Sequence, residues 1–336
     1  MRVLRELTRR PSALFGLVVV VLVLLAAIFA PWIAHFSPDD QLADGLSLEG
    51  APLPPGGDHL FGTDTLGRDL FARVLFGART SLIIGLVANG VAVAIGLLVG
   101  LLAGYLRGAA ANLLMRFTDL MMAFPALLLA IALAALLRPS LWIVAMVIAL
   151  VNWVQVARIV YTETRGLVER DFIVAERSLG AGNGRIILLH ILPHLMPTAI
   201  VWGTLGIATT VLLEATLSFL GIGVQPPQPS WGNIIFESQS YFQDAPWLVF
   251  IPGAIILATA LSFNLIGDAL RDILDPPSAG GCDDGLLPRP PSRPGRADPA
   301  RRGRHHLPSA LFPAGGPRRA DRRALRDAAD GGRHPA

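Results

Sequence analysis

The sequence predicts an all-α polytopic membrane protein with six transmembrane helices. Three observations carry that expectation: 53% of the 336 residues are hydrophobic, only 16% are charged, and the apolar residues fall in long blocks rather than short alternating runs. Crossing a hydrocarbon core of about 30 Å at about 1.5 Å per residue takes roughly 20 residues. Six blocks have that length: 13–33, 81–105, 119–137, 141–160, 198–220 and 247–270.

The first block follows Arg2, Arg5, Arg9 and Arg10, as the core of a signal peptide would. Its apolar run from Leu14 to Ile33 exceeds the roughly 7 to 15 residues of such a core and runs through Pro31 and Trp32 with no clear small-residue cleavage site. A membrane anchor is therefore expected. In the second block Gly96, Gly100 and Gly104 recur every four residues. That spacing makes a smooth stripe on one helix face, where a neighbouring helix can approach closely; it is a packing signal, not a catalytic one. Pro125 in the third block and Pro252 in the sixth interrupt the backbone ladder and mark expected kinks.

Arginine sets the expected orientation. With the N-terminus inside, Arg2, Arg5, Arg9, Arg10, Arg107, Arg116, Arg158, Arg165, Arg170, Arg177, Arg185 and Arg271 fall inside, against Arg68, Arg73, Arg79 and Arg138 outside. The bias favours both termini inside. The loop 36–80 is the exception, but it also carries Asp39, Asp40, Asp44, Glu49, Asp58, Asp64 and Asp69, so it reads as an external surface element. A second external loop, 221–246, holds Trp231 and is followed at once by Trp247, as an interfacial lid or an aromatic anchor at headgroup level would be.

Several function classes are excluded. All 28 basic residues counted as Lys or Arg are Arg, so the lysine of a phosphate-binding P-loop is absent and any ATP must be handled by another chain. The formal charge of +3 sits at membrane ends and in the C-terminal tail, which gives no basic face for nucleic acid. Cys282 is the single cysteine, so no intramolecular disulfide or cysteine metal site is available. His190 and His194 are spaced like a metal pair, but Pro193 stands between them and no carboxylate or thiol adjoins them in sequence, so no metal site is expected. No HExxH, GxSxG or membrane cysteine is present, and no enzyme is expected.

Polar residues inside apolar blocks are the natural candidates for a transport pathway, because a charge at mid-bilayer costs about 2.5 to 3.5 kcal/mol. Asn89, Asn152, Gln155, Glu214 and Asn264 qualify. Glu214 has no basic residue near it in its own block, so it faces another helix or water; a structural hydrogen-bonding role is favoured there over substrate contact.

The internal loop 161–197 is long for a chain that keeps its other internal loops short. Asp171 is a plausible N-cap, Phe172 to Leu179 makes two helical turns, and Gly180 is a natural stop. Phe172, Ala175 and Leu179 share one face, with Glu176 and Arg177 to the side, so this helix can pack on another protein or rest on the membrane surface.

These residues resemble a known signature. The stretch from Val174 to Pro197 is similar to the loop of binding-protein-dependent importer permeases, with Ala175, Gly180, Leu192 and Pro193 on the family's spacing. The family's leading Glu is Val174 here, and Glu176 stands in the third place. Segments at His59 to Leu82, Thr118 to Pro125, Glu214 to Gly223, Pro229 to Ile235, Ala245 to Trp247 and Asn264 to Pro276 resemble the dipeptide, oligopeptide and nickel permeases in the same order. The resemblance implies a MetI-like permease core at a bacterial plasma membrane, and a coupling helix whose Ala175, Glu176, Leu179, Gly180 and Pro193 serve contact with ATPase subunits. It also implies a homologous second permease, two ATPases that use ATP and Mg, and an external solute-binding protein, with no cofactor in this chain. The alternative is an ion-coupled secondary transporter, which predicts inverted repeats and paired ionisable residues that the sequence does not display.

The expected organisation is an anchor with its external loop over 1–80, a core over 81–276, and a tail over 277–336. The tail is rich in Arg, Pro and Gly without apolar periodicity and cannot bury enough surface to fold. It reads as a genuine but inert extension or as a frameshifted reading of the gene. Which solute is carried stays open.

Overall fold

A computed structural model of the chain describes residues 2–106, 108–138 and 140–274. The tail therefore lies outside the described residues. Among those residues the architecture is helical, with only isolated β-bridges.

Helix α1 (Arg2–Leu7) and α2 (Pro11–Ile33) open the chain. Pro11 starts α2 at a position where a missing amide costs nothing. Helix α3 (Leu70–Tyr105) begins well before the expected Ser81, because Asp69 caps it: the carboxylate accepts from the Ala72 amide at 2.8 Å. The expected external loop therefore ends at Asp69, and a boundary at residue 80 falls inside a continuous helix.

The third apolar block is not one straight span. Helices α4 (Ala109–Met122) and α5 (Ala126–Leu136) meet at a bend of 88°. Pro125, directly before α5, has no amide to donate and disfavours helical backbone at Phe124. Among the described residues five helices are long and apolar enough to cross a membrane, and six spans result when the bent pair counts as one.

Helix α6 (Leu141–Val168) runs on past Val160, and α9 (Leu192–Phe219) starts before Thr198. Between them lie α7 (Asp171–Ser178), α8 (Asn183–Ile186) and a π-helical turn, Ile187–Ile191. Helices α10 (Trp231–Ser238) and α11 (Trp247–Leu274) complete the fold. Pro252 stays buried inside α11 without ending it. The reading of loop 221–246 as an aromatic anchor needs correction at Trp231. That side chain is 0% exposed, donates its indole N–H to the Val74 carbonyl at 3.2 Å, and belongs to the core between α3, α9 and α11.

The seam between α3 and α6 sets the rest. A Cβ at Gly96 would stand 2.8 Å from the Trp153 carbonyl, and one at Gly100 would stand 2.5 Å from that of Ala157. One at Gly104 would meet the Thr164 Cβ at 2.5 Å. Backbone meets backbone here, so the stripe holds only glycine. Gly100→Ala is expected to cost about 1–3 kcal/mol by forcing the helices apart, read as a lower melting temperature in detergent and reduced membrane abundance. An unchanged melting temperature would mean that the seam yields. Around this pair, α2, α9 and α11 close a second apolar cluster that includes Val20, Ala78, Leu82, Val211 and Ile256. Outward residues such as Leu22, Phe29, Trp142 and Leu257 are exposed, as suits hydrocarbon rather than water.

Candidate functional site

Loop 36–69 and the segment 169–191 between α6 and α9 lie at the two ends of α3, since that helix starts at Leu70 and ends at Tyr105, against that segment. Each end carries a built arrangement.

At the Leu70 end Asp64, Arg68, Asp69 and Arg73, expected at an exposed surface, are instead buried and paired, whereas Asp39, Asp40, Asp44, Glu49 and Asp58 are exposed. Asp64 organises the turn: its Oδ1 accepts from the amides of Leu66 and Arg68, both at 2.9 Å. Its Oδ2 binds Arg68 Nε at 2.7 Å and also Arg73. Both guanidiniums then reach Glu237 of α10, Arg68 at 2.5 Å and Arg73 at 2.7 Å. Arg73 is 1% exposed and Asp64 2%. Burial pushes the Glu237 carboxyl above its ordinary range, while Arg68 pulls it down. Asp69 joins the same wall through His59 Nδ1 at 3.1 Å. This explains why Arg68 and Arg73 depart from the charge bias: each is neutralised within the fold. Sequence reasoning missed the cluster, and the mixture of acids and arginines over 58–73 was the available signal.

The polar residues inside the helices divide. Asn89 is buried, and its amide donates to the Gly203 carbonyl at 2.5 Å, tying α3 to α9. Glu214 is 0% exposed and accepts from Ser81 at 2.9 Å and Ser218 at 2.8 Å. These two hold helices together. Asn152 is half-buried and donates to Thr210 at 3.3 Å, whereas Gln155 and Asn264 are exposed.

At the Tyr105 end, α7 is a short helix with one buried side chain. Ile173 is 0% exposed and packs with Leu101, Tyr105, Ile186 and Ile191. The cap position is Arg170, not the expected Asp171, which is the first helical residue and whose charge suits the helix N-terminus. The other face is bare: Val174 is 51% and Leu179 84% exposed, with Ala175 also outward. Gly180 has φ +84°. Its amide donates to Arg177 O and that of Ala181 to Glu176 O, both at 3.0 Å, which is a Schellman stop. No atom lies within 4 Å of where a Gly180 Cβ would stand, so the backbone conformation and not space selects glycine.

Glu176 is not a free acid, because its Oε1 lies 3.5 Å from His190 Nε2. Phe172 stacks on His194 with ring centroids 5.5 Å apart. The two histidines thus serve to seat α7, and no metal-holding group of His, Cys, Asp and Glu occurs among the described residues. Pro193 lies exposed in the first turn of α9, directly after the π-helical turn, whose wider ladder precedes a residue with no amide to donate.

Residues 96–278 match the family described as binding-protein-dependent transport system inner membrane component. The chain belongs to that family. Residues 1–55 match the N-terminal TM domain of oligopeptide transport permease C. The chain is similar to a Brucella suis protein named for a peptide transport system permease, at 45% identity over 272 residues, 81% of this chain and 90% of that one. It is also similar to the dipeptide transport system permease protein DppC of Escherichia coli, at 43% over 270 residues, 80% and 90% of the two chains. A third relative, the di/tripeptide transport system permease protein DppC of Pseudomonas aeruginosa, is 42% identical over 266 residues, 79% and 88% of the two. The protein is therefore the multi-pass inner-membrane permease component of an ABC transport system, a transport and not a catalytic subunit. The secondary-transporter alternative is not favoured.

Proposed function

We propose that this permease pairs with a homologous permease to form a pathway for di- and oligopeptides, both termini lying in the cytoplasm. Two ATPase subunits, which bind and hydrolyse ATP with Mg, dock on the paired α7 helices, and an external binding protein delivers the peptide. The observation that carries the reading is α7 itself: a helix seated by Ile173 that presents Val174 and Leu179 to the outside of the fold. Peptide cargo is supported by the names of relatives at 42–45% identity. Ala175, Glu176, Leu179, Gly180 and Pro193 form or support the coupling face. Gln155 and Asn264, exposed on α6 and α11, are the polar side chains free to face the pathway, with Asn152 one turn from Gln155 on α6.

ATPase closure moves α7, and the pathway opens outward to receive peptide; the energy comes from phosphoryl transfer in the partner subunits. The test is reconstitution of the chain with its cognate permease, ATPases and binding protein. ATP hydrolysis is expected to rise when dipeptide-loaded binding protein is added, and dipeptide to accumulate. Hydrolysis and uptake that ignore the loaded binding protein would overturn the reading. Orientation is checked separately. With Cys282 replaced by Ser, a cysteine at Asp40 is expected to react with an impermeant maleimide in intact cells, and one at Gly184 only after permeabilisation. Equal labelling of both from outside would sink the topology.

A further inference from the structure

We infer that Tyr105 is the positioning residue through which movement of α7 reaches the membrane helices. The inference deepens the coupling reading above and rests on it. Tyr105 is the last residue of α3 and is 7% exposed, so its ring is held in the fold. That hydroxyl donates to Asn183 Oδ1 at 2.7 Å, at the start of α8. The Arg177 guanidinium, on α7, lies 5.4 Å from the ring centroid, and Ile173 of α7 packs in the same cluster. One side chain thus touches both arms of the loop: α7 by its ring and α8 by its hydroxyl. A push on the exposed face of α7 has a direct, short-range path onto the end of α3.

What α3 does with such a push follows from its seam with α6. Gly96, Gly100 and Gly104 hold the two helices at backbone contact over two turns, and packed elements of this kind move as one body rather than bending independently. Gly104, adjacent to Tyr105, lies against Thr164, so displacement of Tyr105 carries α6 with it. Further along α3, Asn89 ties to Gly203 and Ser81 to Glu214 of α9. The tether is at Tyr105, and the rest of α3 is already coupled to its neighbours.

The experiment uses the full reconstituted complex and reads dipeptide taken up per ATP hydrolysed. Tyr105→Phe removes only the hydroxyl bond; Tyr105→Ala removes the ring contact with Arg177 as well. Both are expected to keep membrane abundance and ATPase co-purification, while uptake per ATP falls by about fivefold for Phe, the worth of one hydrogen bond, and further for Ala. Asn183→Ala is expected to match Tyr105→Phe, and the double variant to lose no more than either alone, since both remove one contact. Uptake per ATP unchanged in both Tyr105 variants would overturn the inference while leaving the coupling helix intact. Loss of ATPase co-purification on altering Leu179, with no response to Tyr105, separates the two readings. If Tyr105→Ala lowers abundance, Tyr105→Phe with Asn183→Ala still decides the matter.

Discussion

Arg73→Met is expected to destabilise the protein by about 3–5 kcal/mol, the cost of removing one partner from a buried ion pair. Arg73 lies in the first turns of α3 with Asp64 and Glu237 as its acids, and the methionine would fill its volume while leaving both carboxylates with Arg68 alone. The loss arises from uncompensated charge, so it depends on pH. A carboxyl held above its unfolded value, as Glu237 is, favours the fold at low pH and costs stability as pH rises through its folded value. Removing a nearby cation pushes it higher still. Melting temperature of the variant in detergent is therefore expected to fall further below wild type at pH 8 than at pH 5. Asp64→Asn in the same background keeps the Oδ1 that accepts from Leu66 and Arg68, removes one charge, and is expected to restore part of the loss. Equal melting of Arg73→Met and wild type at both pH values would mean the network is solvated.

Leu179→Asp is expected to abolish ATPase docking without harming the fold. Leu179 is 84% exposed, so the single chain does not register the change, whereas a charge placed in the middle of a docked apolar contact leaves it buried without a partner. A hot-spot loss of about 2 kcal/mol or more weakens association at least about thirtyfold. Gly180→Val acts on the same helix through the backbone. A β-branched residue at φ +84° costs about 1–3 kcal/mol of local strain and unwinds the Schellman stop, re-aiming Leu179. Co-purified ATPase is expected to vanish for Leu179→Asp and to fall for Gly180→Val, with membrane abundance of both at the wild-type level. Full peptide-stimulated hydrolysis in either variant would show that α7 is not the docking helix.

Glu176 illustrates how a site residue can be right in place and different in partner. Its position on α7 follows from the helical period, but its contact with His190 required the chain to turn at Gly180 and return through α8 and the π-helical turn. The pathway candidates behave similarly. An intramembrane polar residue must be satisfied, and the sequence alone leaves open whether water or a neighbouring helix does so. Asn89 and Glu214 found helices; Gln155 and Asn264 did not.

Helical class, the number of apolar blocks, the glycine stripe and the Gly180 stop were determined by the sequence by itself, because each depends on residues within a few turns of one another. Hydropathy sums over a window, a stripe needs only the helical period, and a positive φ is a preference of one residue. Packing settled the core position of Trp231 and the neutralisation of Arg73, whereas the break at Pro125 follows from its missing amide and the early start of α3 from its local Asp69 cap. Arg73 and Glu237 are 164 positions apart, and no local pattern pairs them. The physical reason is common to Trp231 and Arg73. A charge or an indole is settled by whichever donor or acceptor the packed helices bring to it, and in a low-dielectric interior that pairing outweighs the exposure that composition predicts.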